Sequence, residues 1–456
     1  MDFKIFICML FLLQLIYFVV GRYSSKGIAD QKDYFLAGKN VQFFPLMMTF
    51  IGVVIGGGMV LGSAEEAYLY GWSIFLYPLG GALGLIVLGA GIGKRLAEFP
   101  VSTVAQICEV AYKSSMLKKA ASLFSICSLF MILVGQIIGS SKFLVSLGLN
   151  NTPLFVFFWA IVIIYTVQGG LKAVISTDLV QALFFMGVFL LCFGYVIYYE
   201  PLVSEIPMPN VENLGLVSSK LTGWLLMPLL FMVIEQSIGQ RCFAAASPKI
   251  VSQATMAAGF CTIIISIVPL FFGILAKTMQ LQVPTGGSVL MSAIIETTNP
   301  ILSAMVGCAV LAAIISTATA LINAISSNIS SDFNLSGFKC CSMRLVRGIT
   351  CSISIAAIIF AFFLDNILDI LMQSYELSVS CLFIPIFIAL FKKQGNFISA
   401  CLAMIFGAIG FMLFRIYPIQ FPKELASILL SLFGFIVGEV IVYYRQKLKK
   451  ISNRIC

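Results

Sequence analysis

The chain has 456 residues, of which 60% are hydrophobic and only 10% charged, and its mean hydropathy is +1.05. An ordinary soluble domain carries about a quarter charged residues, so a water-soluble globule is excluded and the length fits about a dozen membrane spans. Histidine is absent, which removes the Ser-His-Asp triad, His-ligated zinc or haem, and imidazole proton relays.

Apolar stretches able to cross a ~30 Å hydrocarbon core begin near residues 3, 42, 70, 120, 152, 174, 221, 250, 298, 345, 366, 395 and 425. The first, Phe3 to Val20, lacks a small-residue cleavage site and reads as a helix rather than a signal peptide. With the N-terminus outside and sides alternating, 22 of the 28 Lys+Arg fall in cytoplasmic loops or in the tail from Arg445 to Arg454. Lys4, Lys142, Lys220, Lys277, Arg415 and Lys423 fall on or towards the other side, the asymmetry that the positive-inside rule expects. The net charge of +9 therefore reads as topology and contact with anionic lipid, not as nucleic-acid binding. Loops are short except for residues 94–118, inside, and 200–220, outside, and neither holds an extramembrane domain. The 13 cysteines stand singly in apolar segments or as Cys340-Cys341, without CxxC spacing, and read as small apolar fillers.

Four polar interruptions stand out against this background. The second span reads Thr49-Phe50-Ile51-Gly52-Val53-Val54-Ile55-Gly56-Gly57-Gly58, and each helix-interior glycine costs ~1 kcal/mol relative to alanine. Either the span packs closely against a neighbour, or it unwinds and frees carbonyls to ligate a cation. Gly169 to Gln181 is a cytoplasmic turn entering the sixth span, with Asp178 and Gln181 one turn apart. The helix dipole alone accounts for a carboxylate there; an inner cavity is the other reading. The seventh span carries Glu235-Gln236-Ser237-Ile238-Gly239-Gln240-Arg241. A glutamate at that depth faces a cavity, or else pairs with Arg241 near a helix end. In the ninth span, Ser316, Thr319 and Asn323 share one helical face and Thr317 projects ~100° away, a pattern of oxygens suited to a hard monovalent cation or to ordinary helix back-bonding. The interruptions in the second and seventh spans lie five spans apart, as expected of an inverted repeat with its site at the repeat interface.

The chain resembles the sodium/solute symporter family over nearly its whole length. The resemblance rests on Asp33-Tyr34-Phe35-Leu36-Ala37-Gly38-Lys39, on Gly169 to Gln181, on Gln240-Arg241 and on Ala312 to Ser327. It implies an all-α integral membrane protein of about 13 transmembrane helices with a 5+5 inverted-repeat core and broken helices. Residues 1–21 would be an extra N-terminal helix, about 42–199 the first repeat, about 221–392 the second, and about 395–445 two C-terminal helices. It further implies sodium-coupled alternating access, with the ion held by Gly52, Ile55, Ala313, Ser316 and Thr317. Some members hold a second ion at the position of Asp178. Here the usual Asp-Ser pair is replaced by Thr319-Ala320, so one hydroxyl is missing, and Asp178 and Thr319 are candidates for an ion path or a second ion site.

Gly62 to Tyr68 looks like the choline-transporter branch, but a quaternary ammonium prefers tryptophan walls, and Val54 and Glu235 stand where that branch places them. Glu235 and Gln236 instead suit a solute with an amino group. The expectation is a multi-pass protein of the cell (inner) membrane that imports a small organic solute, such as an amino acid, vitamin or carboxylate. Its partners are that solute, sodium and the bilayer, with no organic cofactor and no nucleic acid; oligomeric state stays open. Proton coupling through Glu235 or Asp178 is the alternative, and a membrane enzyme or simple pore is disfavoured.

Overall fold

Side-chain caps fix many of the helix starts. Ser114, Ser247, Ser288, Asn299 and Asn366 each accept a bond from a backbone N–H three residues on, and Pro248 and Pro300 follow two of them at the first helical position. The computed structural model describes residues 3–26, 31–148, 152–206, 218–333, 343–364, 366–392, 394–417 and 420–455. Glu212, Lys339, the Cys340-Cys341 pair and Lys393 lie outside them.

In chain order, α1 (Phe3–Ser24) and the short α2 (Gln31–Leu36) precede α3 (Phe43–Val54). A π-turn at Gly58–Gly62 leads into α4 (Ser63–Tyr70), followed by α5 (Leu76–Val87), α6 (Gly93–Ala97) and α7 (Val104–Tyr112). Two long elements come next, α8 (Ser115–Ser146) and α9 (Thr152–Tyr199). Then α10 (Ser218–Ile234) and α11 (Gln236–Ala244) meet at Glu235, and α12 (Pro248–Thr278), α13 (Val289–Thr297) and α14 (Pro300–Asp332) follow. The chain closes with α15 (Met343–Ala361), α16 (Ile367–Ser378), α17 (Ile384–Lys392), α18 (Phe397–Ile416) and α19 (Lys423–Ile455). Among the described residues the only extended pairing is an isolated bridge between Val41 and Ala245.

Among the described residues ten helical stretches are long and apolar enough to cross a membrane, or eleven when α10 and α11, bent by 42°, count as one. Phe43–Val54 and Phe155–Val167 are apolar but shorter. One of the ten, the 40-residue Gly58–Ala97, runs through α4, α5 and α6, and the tally of ten or eleven stands below the expected thirteen. Residues 94–118, expected as a loop, contain α7, and the connection before the ninth expected span contains α13.

Burial orders the bundle. The most apolar window of α14 is 94% buried, whereas those of α1 and α19 are 17% and 28% buried. The polar helix with Ser316, Thr317 and Asn323 is thus the central element, and the purely apolar ones lie at the periphery. α9 turns at Gly170 (φ 56°, ψ −163°), where a Cβ would stand 2.5 Å from the Tyr34 carbonyl. Only glycine meets both demands. Tyr34 donates its hydroxyl to the Val167 carbonyl at 3.0 Å, so the Asp33-to-Lys39 segment is seated on the Gly169-Gly170 turn.

Candidate functional site

The glycine-rich second span does break. α3 ends at Val54, Ile55 leaves helical geometry at φ −87°, ψ 79°, and Gly56 donates back to the Val54 carbonyl in a tight turn of 3.1 Å. A Cβ on Gly56 would lie 2.4 Å from Thr317 Oγ1 and 2.7 Å from Gln136 Oε1, so the glycine is what admits α14 and α8 to the break. Gln136 Oε1 accepts from the Gly57 N–H at 2.6 Å and satisfies a donor at the break, as a buried backbone group requires.

α14 passes this break without interruption. Ser316 Oγ lies 2.7 Å from the Gly52 carbonyl and 2.9 Å from that of Ala313. Thr317 Oγ1 lies 3.0 Å from the Gly52 carbonyl, 3.1 Å from that of Val53 and 3.3 Å from that of Ala313. Two hydroxyls therefore face the Gly52 and Val53 carbonyls at the end of α3, beside the Ala313 carbonyl of the unbroken α14. Such an oxygen-rich pocket without a carboxylate in it suits a hard monovalent cation. Ile55 is placed by the backbone break itself, one turn beyond Gly52. Among the described residues no group of three or more His, Cys, Asp or Glu gathers as a metal site.

Asp178 lies beside this cluster, its Cβ 3.5 Å from where a Cβ on Gly52 would be. Its Oδ2 accepts from Thr49 Oγ1 at 2.5 Å and from Arg241 Nη2 at 3.0 Å, with both Asp178 and Arg241 wholly buried. Arg241 also donates from Nε to Thr49 Oγ1 at 2.8 Å and from Nη1 to the Ser237 carbonyl at 2.9 Å. The partner of Arg241 is thus Asp178 and not Glu235. Asp178 Oδ1 has no hydrogen-bond partner. Thr319 turns its hydroxyl back to the Ser316 carbonyl at 3.1 Å and makes no bond to Asp178.

Glu235 sits at the second break, with extended backbone at φ −68°, ψ 132° between α10 and α11. Its Oε1 accepts from Ser237 Oγ, and its Oε2 is buried without a partner. It lines a cavity of about 30 Å³ that also reaches Gly56, Gln136 and Thr317, so the two breaks share one internal space. Phe231 and Tyr375 stack on its wall with ring centroids 4.5 Å apart, and Tyr77 Oη lies 3.4 Å from Tyr375 Oη. Gln236 is turned elsewhere: its Oε1 accepts from the Val104 N–H at 2.7 Å, which ties α11 to the start of α7.

Reading the residues in order misses Gln136, Thr49, Tyr77 and Tyr375. Gln136 carried a usable signal, a lone amide deep in an apolar span, of the kind that drew attention to Glu235. Gln240 Nε2 donates to the Phe35 carbonyl at 2.7 Å and to Asn323 Oδ1 at 3.0 Å. With Tyr34 on Gly170 and Arg241 on Asp178, all four sequence motifs meet in one buried network.

The overall architecture is shared with solved transporters. One is a Na+-coupled sialic acid symporter in a substrate-bound outward-open state, with a TM-score of 0.77 at 18% identity over 96% of this chain and 98% of that one. Another is a nucleobase-cation-symport-1 family transporter in a closed conformation with bromovinylhydantoin bound, with a TM-score of 0.63 at 14% identity over 92% and 97% of the two chains. At these identities the likeness is one of fold. The profile of the sodium:solute symporter family matches residues 34–407, and the chain, an all-α protein with many membrane-spanning helices, belongs to that family.

Proposed function

We propose that the protein imports a small organic solute by alternating access, coupled to one sodium ion held by Gly52, Ile55, Ala313, Ser316 and Thr317. The reading is carried by the convergence of two hydroxyls of an unbroken helix on the Gly52 carbonyl just before a helix break. Sodium in that place would bind α3 to α14 through these hydroxyl and carbonyl oxygens. Because an ion shifts conformations only by its difference in affinity between them, coupling requires that this junction loosen in the state open to the cytoplasm. The Glu235 cavity next to Thr317 is the solute site in this reading, and its carboxylate and aromatic wall favour a solute bearing an amino group. At about 30 Å³ it holds one or two waters, so cargo enters only as the surrounding helices part. Gln236, engaged with α7, is left out of the solute site.

A single ion is favoured because Asp178 is already neutralised by Arg241 and Thr319 bonds to its own helix. The thirteen-span count, the two five-helix repeats, an N-terminus outside, a cytoplasmic tail and a cell-membrane location belong to the same proposal. So does the absence of an enzymatic activity. Uptake of pooled labelled amino acids, vitamins and carboxylates into proteoliposomes, with and without inward sodium, tests it. Sodium-dependent uptake is expected, and Ser316→Ala with Thr317→Ala is expected to abolish it; uptake that survives the double substitution would refute the site.

One observation favours a second reading, coupling to protons. Glu235 Oε2 and Asp178 Oδ1 are both buried without hydrogen-bond partners, and either could carry a proton. Glu235→Gln and Asp178→Asn, assayed separately against sodium at fixed pH, separate the two: proton coupling predicts uptake indifferent to sodium and lost in one variant.

A further inference from the structure

A larger cavity, of about 590 Å³, opens towards the N-terminal ends of α10 and α16. Its walls include Trp224, Phe421 and three carboxylates, Glu66, Asp369 and Glu424, set against two ammonium groups, Lys220 and Lys423. α10 and α16 carry both cavities: Trp224 lines the larger one and Pro228 and Phe231 the smaller, as Met372 does the larger and Tyr375 the smaller. The Phe231–Tyr375 stack lies between Trp224 and Glu235 along α10.

Two independent observations point to the kind of ligand. The first is Lys220, whose Nζ donates to Tyr70 Oη at 3.1 Å and lies 4.6 Å from the Tyr70 ring centroid, 5.8 Å from that of Trp224 and 4.0 Å from Glu66 Oε2. The protein's own ammonium is thus already held there by the Tyr70 hydroxyl, two aromatic rings and a carboxylate, groups that also recognise organic cations. The second is Glu424, which lines the cavity, is only 9% exposed, and whose Oε2 has no hydrogen-bond partner. Asp369, by contrast, is occupied by the Asn366 side-chain amide at 2.7 Å. A buried carboxylate oxygen without a partner, in a cavity with one more acid than base, asks for one positive charge.

We propose that this cavity is a vestibule site for a small organic ammonium ion, anchored by Glu424 and walled by Trp224 and Phe421, with Lys220 as a tethered occupant of the adjoining half. The site stands on the chemistry of this cavity; its service as a first stop for cargo rests on the transport reading above. The vestibule is distinct from the Glu235 cavity, and the two can be tested apart.

The experiment is titration of the purified full-length protein, in lipid nanodiscs without sodium, with tetramethylammonium chloride and with methylammonium chloride, reading tryptophan fluorescence. Potassium chloride at matched concentration controls for ionic strength. A saturable change is expected in the wild type and in Glu235→Gln, with affinity at least fivefold weaker in Glu424→Gln and the signal lost in Trp224→Phe. An absent wild-type signal, a smaller shift in Glu424→Gln, a signal that persists in Trp224→Phe, or loss in Glu235→Gln with retention in Glu424→Gln would each overturn the proposal. Should Glu424→Gln fail to run as a single species on size exclusion, Phe421→Ala carries the same fivefold expectation. Failure of sodium-driven uptake would leave these binding readouts untouched, so the two proposals fail separately.

Discussion

Gly56 and Thr317 show how a single atom governs the candidate ion site. A Cβ on Gly56 would be 2.4 Å from Thr317 Oγ1, closer than any real contact, so Gly56→Ala must displace either the hydroxyl or the turn. The expected result is a protein that still folds, since the clash is local, but with half-saturating sodium raised at least tenfold in uptake. Arg241 presents the opposite case, a buried charge whose loss strands its partner. Removing one member of a buried pair costs about 3–5 kcal/mol, whereas removing both is far cheaper. Arg241→Met should therefore lower the thermal midpoint steeply, and Arg241→Met with Asp178→Asn should recover most of it; a double variant as unstable as the single would show that Arg241 acts through Ser237 instead. Hydroxyls deep in an apolar span draw attention to Ser316, Thr317 and Thr319, but the choice of Ser316 and Thr317 as a pair comes from the family resemblance, since spacing alone groups Ser316 with Thr319 and Asn323. The Asp178–Arg241 pair was not legible in the sequence, because the two lie 63 residues apart and nothing in their local patterns selects Arg241's partner over Glu235.

At the scale of elements, breaks were easier to read than joins. Four glycines within Gly52 to Gly58 announced the end of α3, and a glutamate after an apolar run announced the bend between α10 and α11. α7 and α13 escaped because each is only nine residues long and amid polar flanks, short of any span signature. What fixes such short pieces is tertiary, as in the bond from Val104 N–H to Gln236 and from Thr103 Oγ1 to Asp332 at 2.7 Å. Gly170 is where element geometry is most exposed to test. Its φ of 56° with ψ of −163° suits glycine, and a Cβ would also strike Tyr34. Conformational strain alone is worth about 1–3 kcal/mol. Gly170→Ala should unseat the Asp33-to-Lys39 segment, seen as a lower thermal midpoint and as new protease cleavage near Lys39; an unchanged midpoint would mean that α9 does not turn there.

For the whole molecule, the question is what one ion accomplishes. A membrane potential of ~100 mV gives ~2.3 kcal/mol for each charge moved, and a tenfold sodium gradient adds ~1.4 kcal/mol. Together they support roughly 500-fold accumulation of a neutral or zwitterionic solute carried with one sodium. A cationic solute draws on the potential a second time, so its accumulation depends more steeply on voltage. In the function proposed above these cases fall to named residues: with Asp178 paired to Arg241, the ion is assigned to the Ser316–Thr317 pocket, and Glu235 is assigned the preference for an amino group. In proteoliposomes clamped by potassium diffusion potentials, one ion with a zwitterion predicts about tenfold greater accumulation for each ~60 mV. It also predicts a Hill coefficient near one for sodium. If the clamp gives a tenfold rise in only about 30 mV, the solute's own charge decides its meaning: with a cationic solute it still fits one sodium, and with a zwitterion it requires a second. That second ion would have to displace Arg241 from Asp178, and Arg241→Met would then raise sodium affinity instead of disabling the protein.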